Sequence, residues 1–267
     1  MVIVKLGGSV ITYKEKPLTP NFSAIEKISK VVKELKKQFK VIIVHGGGSF
    51  GHYWSVKYDM HTMPAVYPDE GIAKVRDSMI KLNSIIIDKL LANDLKPLSV
   101  HASSFVFNNK CCKDQALDMF NMIKNNDLIP VTYGDVVHTS GGKFSILSGD
   151  TLMNILSNVL KPKFSIFTTN VDGIYDNIDG GNLMSKIFIN KNREISVNGT
   201  SNTEIKISNI TFDVTGGMKR KISESANMVV NGTSVYLING FYPERIIDLI
   251  NGNDFIGTSI NMNEESI

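Results

Sequence analysis

The sequence is short of cysteine: its 267 residues include two, Cys111 and Cys112, side by side. Neighbouring thiols close a strained ring if oxidised and match no zinc spacing, so neither a disulfide framework nor a metal site is expected. A run of 18 or more apolar residues is also missing, which excludes a membrane-spanning helix. The opening run, Met1 to Val4, is cut off by Lys5, Gly7 and Gly8, too early for the core of a signal peptide. These absences predict a cytoplasmic protein whose sequons at Asn21, Asn198 and Asn231 stay unglycosylated. A large charge of one sign is lacking too. The 29 basic and 26 acidic residues leave a surplus of 3, too small to suggest a nucleic-acid binder but suited to small anions held by local lysine clusters. No G-x-x-x-x-G-K-[ST] occurs, so a P-loop is excluded.

What is present is ordinary globular usage, 42% apolar and 21% charged, enough to bury a sizeable core. At roughly 150 residues per domain the length suits one α/β unit with two lobes. Strand-length apolar runs recur at Val2–Val4, Val41–Val44, Leu98–Val100, Leu128–Val131, Ser165–Thr169 and Val235–Ile238. Helical spacing separates them: Phe22 to Phe39 with Thr19 as a cap before Pro20, about Asp69 to Leu91, Met119–Lys124, Asp150–Leu160 and Met218 to Val230. Strands alternating with helices predict a mainly parallel sheet covered on both faces. From Asp176 to Asp213 the alternation stops. There Asn198–Gly199 between Glu194–Val197 and Glu204–Ile207 reads as a hairpin turn, and a lobe boundary is placed near residue 161.

Several strand ends carry chemistry. Lys5-Leu6-Gly7-Gly8-Ser9 follows the first strand, and glycines there let backbone N–H groups approach an anion without Cβ obstruction. Read blandly, it is a tight turn with Lys5 at an exposed strand end. His45-Gly46-Gly47-Gly48-Ser49-Phe50-Gly51-His52 follows the second strand as a larger cradle. It also matches G-x-G-x-x-G, but the residues after Gly51 lack the apolar periodicity of a Rossmann helix. His52 is a candidate anion or proton ligand, His45 a structural donor, and His61, His101 and His138 surface or packing residues. Asp150, in Ser148-Gly149-Asp150, is either an N-cap or an anion orienting nearby lysines. Thr169 to Tyr175 holds Asp172-Gly173, a nucleotide-side turn or simply an Asp-Gly turn. Thr215-Gly216-Gly217-Met218 opens a helix with Lys219, Arg220 and Lys221, cations that oppose the helix dipole unless an anion neutralises them.

Together these motifs resemble the amino acid kinase family over nearly the whole chain. Within it, Ser49 to His52, Lys14 and Tyr133-Gly134-Asp135-Val136-Val137 resemble the archaeal isopentenyl phosphate kinases, which transfer the γ-phosphoryl of ATP to isopentenyl phosphate. The resemblance implies a three-layer αβα sandwich, a homodimer, an acceptor lobe at 1–160 and an ATP lobe at 161–267. It implies that Lys5 and Lys221 neutralise the transferring phosphoryl group, Asp150 holds them, and Lys14 assists on the ATP phosphates. Gly7, Gly8, Ser9, Gly47, Gly48, Gly51 and Gly149 would line the phosphate sites, with His52 on the acceptor. Asp172, Gly173, Tyr175, Gly216 and Met218 would line the nucleotide site. Magnesium is expected on the ATP phosphates, with no carboxylate cage of its own. Asn170 departs from the acidic residue of many relatives, and the segment from Asp176 to Asp213 is hard to align. On the helix after Asp69, Met79, Ile80 and Asn83, with Ile146 from a facing loop, are candidates for an apolar wall around the substrate tail. A kinase of the same fold acting on another phosphate or phosphonate such as fosfomycin, a non-catalytic nucleotide sensor and a Rossmann oxidoreductase are the competing readings.

Overall fold

Strand β1 (Val2–Leu6) is buried along its whole length, as a strand inside a parallel sheet covered on both faces must be. In the computed structural model it lies parallel to β2 (Val41–His45) on one side and β9 (Phe164–Thr169) on the other, with Val2 opposite both Val41 and Phe164. The structure describes residues 1–263 except 109, 125, 177–180, 193, 198–199 and 207–215. Outward from β2 come β6 (Ile129–Tyr133) and β3 (Pro97–Ser99), both parallel. Outward from β9 come β13 (Val235–Asn239), parallel, then β14 (Thr258–Met262), antiparallel to β13, then β10 (Lys186–Ile189). These eight strands are extended to ten by β11 (Glu194–Val197) and β12 (Thr200–Lys206), an antiparallel pair at the far edge. The turn expected at Asn198–Gly199 lies outside the described residues, as do Ile207, Asp213 and Thr215.

Side-chain alternation along β1 sorts the core into two layers. Val2, Val4 and Leu6 pack with α1 (Gly8–Ile11), α2 (Phe22–Lys36), α4 (Asp69–Leu91) and α8 (Arg245–Asn251). Ile3 packs on the other face with α5 (Lys113–Lys124), α6 (Gly149–Leu160) and α7 (Gly216–Val230). The result is the expected three-layer αβα sandwich. Two short antiparallel pairs stand outside the sheet: β4 (Val106–Phe107) with β5 (Lys110–Cys111), and β7 (Asp135–His138) with β8 (Phe144–Leu147). The chain passes residue 161 without interrupting the sheet. Lys161 ends α6 in the left-handed region and Pro162 follows, yet β9 returns directly beside β1.

One local expectation needs correction. Thr19 does not cap α2; Asn21 does, its Oδ1 accepting the Ala24 N–H, because Thr19 is drawn into a turn and its hydroxyl donates to the Pro17 carbonyl. The residues after Gly51 lie in a helix, α3 (Gly48–Lys57), that carries no apolar stripe. Its buried residues are Ser49 and Phe50, so a broad apolar face is not required of it. No helix among the described residues is long and apolar enough to cross a membrane.

Candidate active site

The alternation that buries Ile3 also sends Lys5 to the α6–α7 side of the sheet. There Lys5 Nζ donates to Asp150 Oδ1 at 2.8 Å and Lys221 Nζ donates to the same oxygen at 2.9 Å. Three elements distant in sequence are thereby joined at the carboxyl ends of the central strands. Ser148, not Asp150, caps α6, its Oγ accepting the Thr151 N–H, which leaves the Asp150 carboxylate to the lysines. Burial pushes the Asp150 carboxyl up, but the charges and hydrogen bonds of Lys5 and Lys221 outweigh it and hold the pKa at about 2. Burial and the neighbouring Lys5 charge press Lys221 down to about 8, with Asp150 limiting the fall. Both ammonium groups lie over the Phe167 ring, at 5.7 and 5.5 Å from its centroid. Lys5 is therefore a buried cation, not an exposed strand end.

The glycine-rich ends of β1 and β2 meet face to face. A Cβ on Gly8 would fall on the backbone N of Gly48, so neither loop tolerates a side chain there. Thr12 fastens the pair: its Oγ1 accepts the Ser49 N–H at 2.9 Å and donates to the Gly8 carbonyl at 2.7 Å. Gly48 adopts a φ of +48° at the start of α3, whose N-terminal N–H groups and dipole favour an anion. Behind the cradle His45 is fully buried. Its Nδ1 lies 3.1 Å from the Gly46 carbonyl and its ring stacks on Tyr133, and burial pushes its pKa down to about 4, which keeps the imidazole neutral.

The loops open on a cavity of about 770 Å³. Of the expected residues, Lys5, Gly7, Gly8, Ser9, Lys14, Gly47, Gly48, Gly51, His52, Met79, Ile146, Gly149, Asp150, Met218 and Lys221 line it. His52 faces it from α3, its pKa lowered by the surrounding walls and then by the charges of Arg220 and Lys14. Gly217 also lines it, next to Gly216 at the start of α7.

Five expected residues are not in the cavity wall. Ile80 is 44% exposed, because successive helix residues turn by about 100° and Met79 takes the inward face. Asn83 is buried, but its amide bridges His45 Nε2 and Ser99 Oγ at 3.3 and 2.8 Å. Asp172 is tied to Arg245 and to Asn239, with the Tyr175 hydroxyl 3.5 Å away, so these side chains brace the turn after β9. Gly173 packs its backbone against Thr258, where a Cβ would collide. Sequence reasoning missed Thr12 and Thr168, and it quoted Val75, Thr169 and Arg220 within motifs without naming them as site residues; all five are in the wall. Thr168 and Thr169 carried a usable signal, since they end a central parallel strand, where ligands of such sheets bind.

A floor of two lysines on one carboxylate, under two facing glycine loops, suits the transfer of a phosphoryl group. The chain matches the family model described as "Amino acid kinase family" over residues 1–239. It belongs to the amino acid kinase family. It is 35% identical over 265 residues to the isopentenyl phosphate kinase of Thermoplasma acidophilum, covering 97% of this chain and 100% of that one. It is 32% identical over 276 residues to the isopentenyl phosphate kinase of Methanocaldococcus jannaschii, covering 99% and 100%. The crystal structure of the T. acidophilum isopentenyl phosphate kinase product complex superposes with a TM-score of 0.78 at 31% identity, covering 98% of this chain and 100% of that one. The family match accounts for the motif order read along the sequence, and the sheet order observed here rules out the oxidoreductase reading: β14 and β10 close one side where a Rossmann unit would repeat its parallel βαβ half.

Proposed function

We propose that this chain transfers the γ-phosphoryl of ATP to isopentenyl phosphate, giving isopentenyl diphosphate and ADP. The observation that carries the reading is the buried Lys5–Asp150–Lys221 cluster at the cavity floor. The full-length relatives supply the substrate class.

The chemistry needs no protein base. An acceptor phosphate is already anionic, and one of its oxygens attacks the γ-phosphorus as the bond to the β-bridging oxygen breaks. What must be supplied is alignment and compensation of charge on the transferring group. Lys5 and Lys221 supply the charge. Asp150 is a positioning residue that keeps the two ammonium groups together in spite of their repulsion. Backbone N–H groups at Gly8, Gly47 and Gly48 receive phosphate oxygens, and His52 with Lys14 meets the incoming anions from the open side. An entering dianion offsets the Arg220 and Lys14 charges that, after burial, lower the His52 pKa.

Val75, Met79 and Ile146, backed by Met60, Tyr67, Tyr133 and Val136, form the apolar wall for the tail. At about 0.8 kcal/mol per buried CH₂, a five-carbon tail gains about 4 kcal/mol over bare phosphate. In this reading the acceptor sits against residues 1–160 and ATP against 161–267, where Gly217 and Met218 flank the phosphates. Asp172, Gly173 and Tyr175 shape the turn after β9 that the nucleotide would meet. Magnesium would be carried on the ATP phosphates, where it would offset their charge, while Asp150 stays committed to the two lysines. A cytoplasmic homodimer completes the proposal.

The test is an ATP-consumption screen of the purified protein with isopentenyl phosphate, dimethylallyl phosphate, fosfomycin, UMP and acetylglutamate. Isopentenyl phosphate should give the highest kcat/KM. A higher value with fosfomycin or UMP would keep the kinase and replace its substrate, and consumption with none would favour a sensor.

A further inference from the structure

Lys221 reaches the buried cluster from a helix end that does not favour it. Lys219, Arg220 and Lys221 crowd the first two turns of α7, where the helix dipole opposes cations, and Lys221 shares its Asp150 oxygen with the like charge of Lys5. Apolar packing sets the two helices side by side, Ile222 and Ala226 of α7 lying in one core layer with Leu152, Met153 and Leu156 of α6. Such packing is non-directional and does not by itself aim an ammonium group.

A directional tie stands three residues on from Lys221, on the same helix face. Glu224 Oε1 accepts the Thr151 hydroxyl at 2.7 Å, and Oε2 accepts the Asn154 amide at 2.7 Å. Thr151 directly follows Asp150, and Asn154 is one turn further along α6. The tie is itself braced at both ends. Ser148 Oγ lies 2.9 Å from Thr151 Oγ1, and because the one Thr151 hydroxyl proton goes to Glu224, Ser148 is the donor between them. Asn154 Oδ1 accepts the Asn158 amide at 2.7 Å. Glu224 is thus the α7 end of a hydrogen-bond chain that runs along α6 from its cap, and both of its oxygens are committed to that helix. It lies outside the cavity wall, so it acts on the reaction through Lys221 alone.

We propose that Glu224 is a positioning residue whose double tie to α6 sets the register of α7 and so aims the Lys221 ammonium at Asp150 and the transferring phosphoryl group, an inference that rests on the phosphoryl-transfer reading of the cavity. A glutamate that only strengthened the fold would, when replaced, lower the melting temperature and leave kcat and the titration of Lys221 where they were.

The experiment reads both quantities in the wild type and in Glu224→Gln. Competitive acetylation with acetic anhydride across pH, followed at Lys221 by mass spectrometry, gives its titration without any turnover. Burial and the Lys5 charge hold Lys221 to about 8, so an ammonium released toward water should titrate upward, toward the ordinary 10.5. With ATP and isopentenyl phosphate, Glu224→Gln should lose about thirtyfold in kcat through misplacement of the charge, with both KM values within about threefold. In a Lys221→Met background the same substitution should cost nothing more, since the residue it positions is gone. The exchange of Glu224→Gln with Asn154→Asp reverses donor and acceptor between the helices and should restore most of kcat and the low Lys221 titration. Where Glu224→Gln does not fold, Asn154→Ala removes half of the tie and should move both readouts in the same directions. An unchanged kcat or an unchanged Lys221 titration in a folded variant overturns the proposal, as do losses that multiply in the Lys221→Met background. A wild type that does not turn over isopentenyl phosphate overturns the functional reading instead, and the Lys221 titration then still decides whether Glu224 places that lysine.

Discussion

The two ends of the cavity are built on opposite principles. At the polar end, charges are fixed by hydrogen bonds between elements far apart in sequence: Asp150 is 145 residues from Lys5 and 71 from Lys221. At the apolar end, Val75 and Met79 come from successive turns of one helix, and their neighbours are ordinary core residues. The polar end spends stability on preorganisation, since two like charges are held at one buried carboxylate. The apolar end gains stability from packing and gives shape in return. Substitutions at the first should therefore affect rate, and substitutions at the second should affect choice of substrate.

The largest effect that sharpens this contrast is expected from Lys221→Met. A charge used as the phosphoryl group transfers should cost about three orders of magnitude in kcat, with a much smaller change in KM for isopentenyl phosphate. Steady-state kinetics decide it: a raised KM for ATP at unchanged kcat would make Lys221 a ground-state clamp.

Next comes the cradle's dependence on a neutral His45. Its pKa falls from 6.5 to about 4 on folding, so the unfolded chain takes up the proton first as the pH drops. Stability should be complete above about pH 6.5, decline by about 3 kcal/mol down to pH 4 and level off below. Urea unfolding of the wild type and His45→Gln at several pH values reads this, with a shallower slope expected in the variant.

His52→Ala should lower kcat/KM for the acceptor about a hundredfold through loss of a charge-assisted contact, while ATP affinity by calorimetry stays within about twofold. Equal losses for both substrates would mean that His52 serves the nucleotide as well. The smallest effect tests the apolar end. Met79→Ala should raise the geranyl to isopentenyl ratio of kcat/KM about tenfold, and Ile80→Ala should leave it within about twofold, because Ile80 faces outward. Equal responses would erase the distinction between the two helix faces.

The same contrast explains what could be read from the sequence. Glycines after a strand, a histidine beside them and cations at a helix start are unusual where they stand, so Lys5, His52 and Lys221 were legible as candidates before any fold was known. Val41–Val44 and Asp69–Leu91 were equally legible, since a strand buried on both faces and a 23-residue amphipathic helix have few alternatives. The tail wall was only half legible. An apolar helix face is the same pattern whether it meets core or cavity, and Met79 and Ile80 are told apart only by packing. Asp172 illustrates a different limit. An acid before a glycine at a strand end suits a ligand or a brace, and its brace, Arg245, is 73 residues away. Glu224 gave no signal, because a glutamate on a helix is recognised as a tie only once the neighbouring helix is seen.

The most direct measurement follows the label from [γ-³²P]ATP in a reaction of the purified protein with isopentenyl phosphate. The account predicts that the label appears in isopentenyl diphosphate, mole for mole with ADP, and that Lys221→Met abolishes the transfer. Label released as inorganic phosphate, or transfer undiminished in a folded Lys221→Met protein, would contradict it.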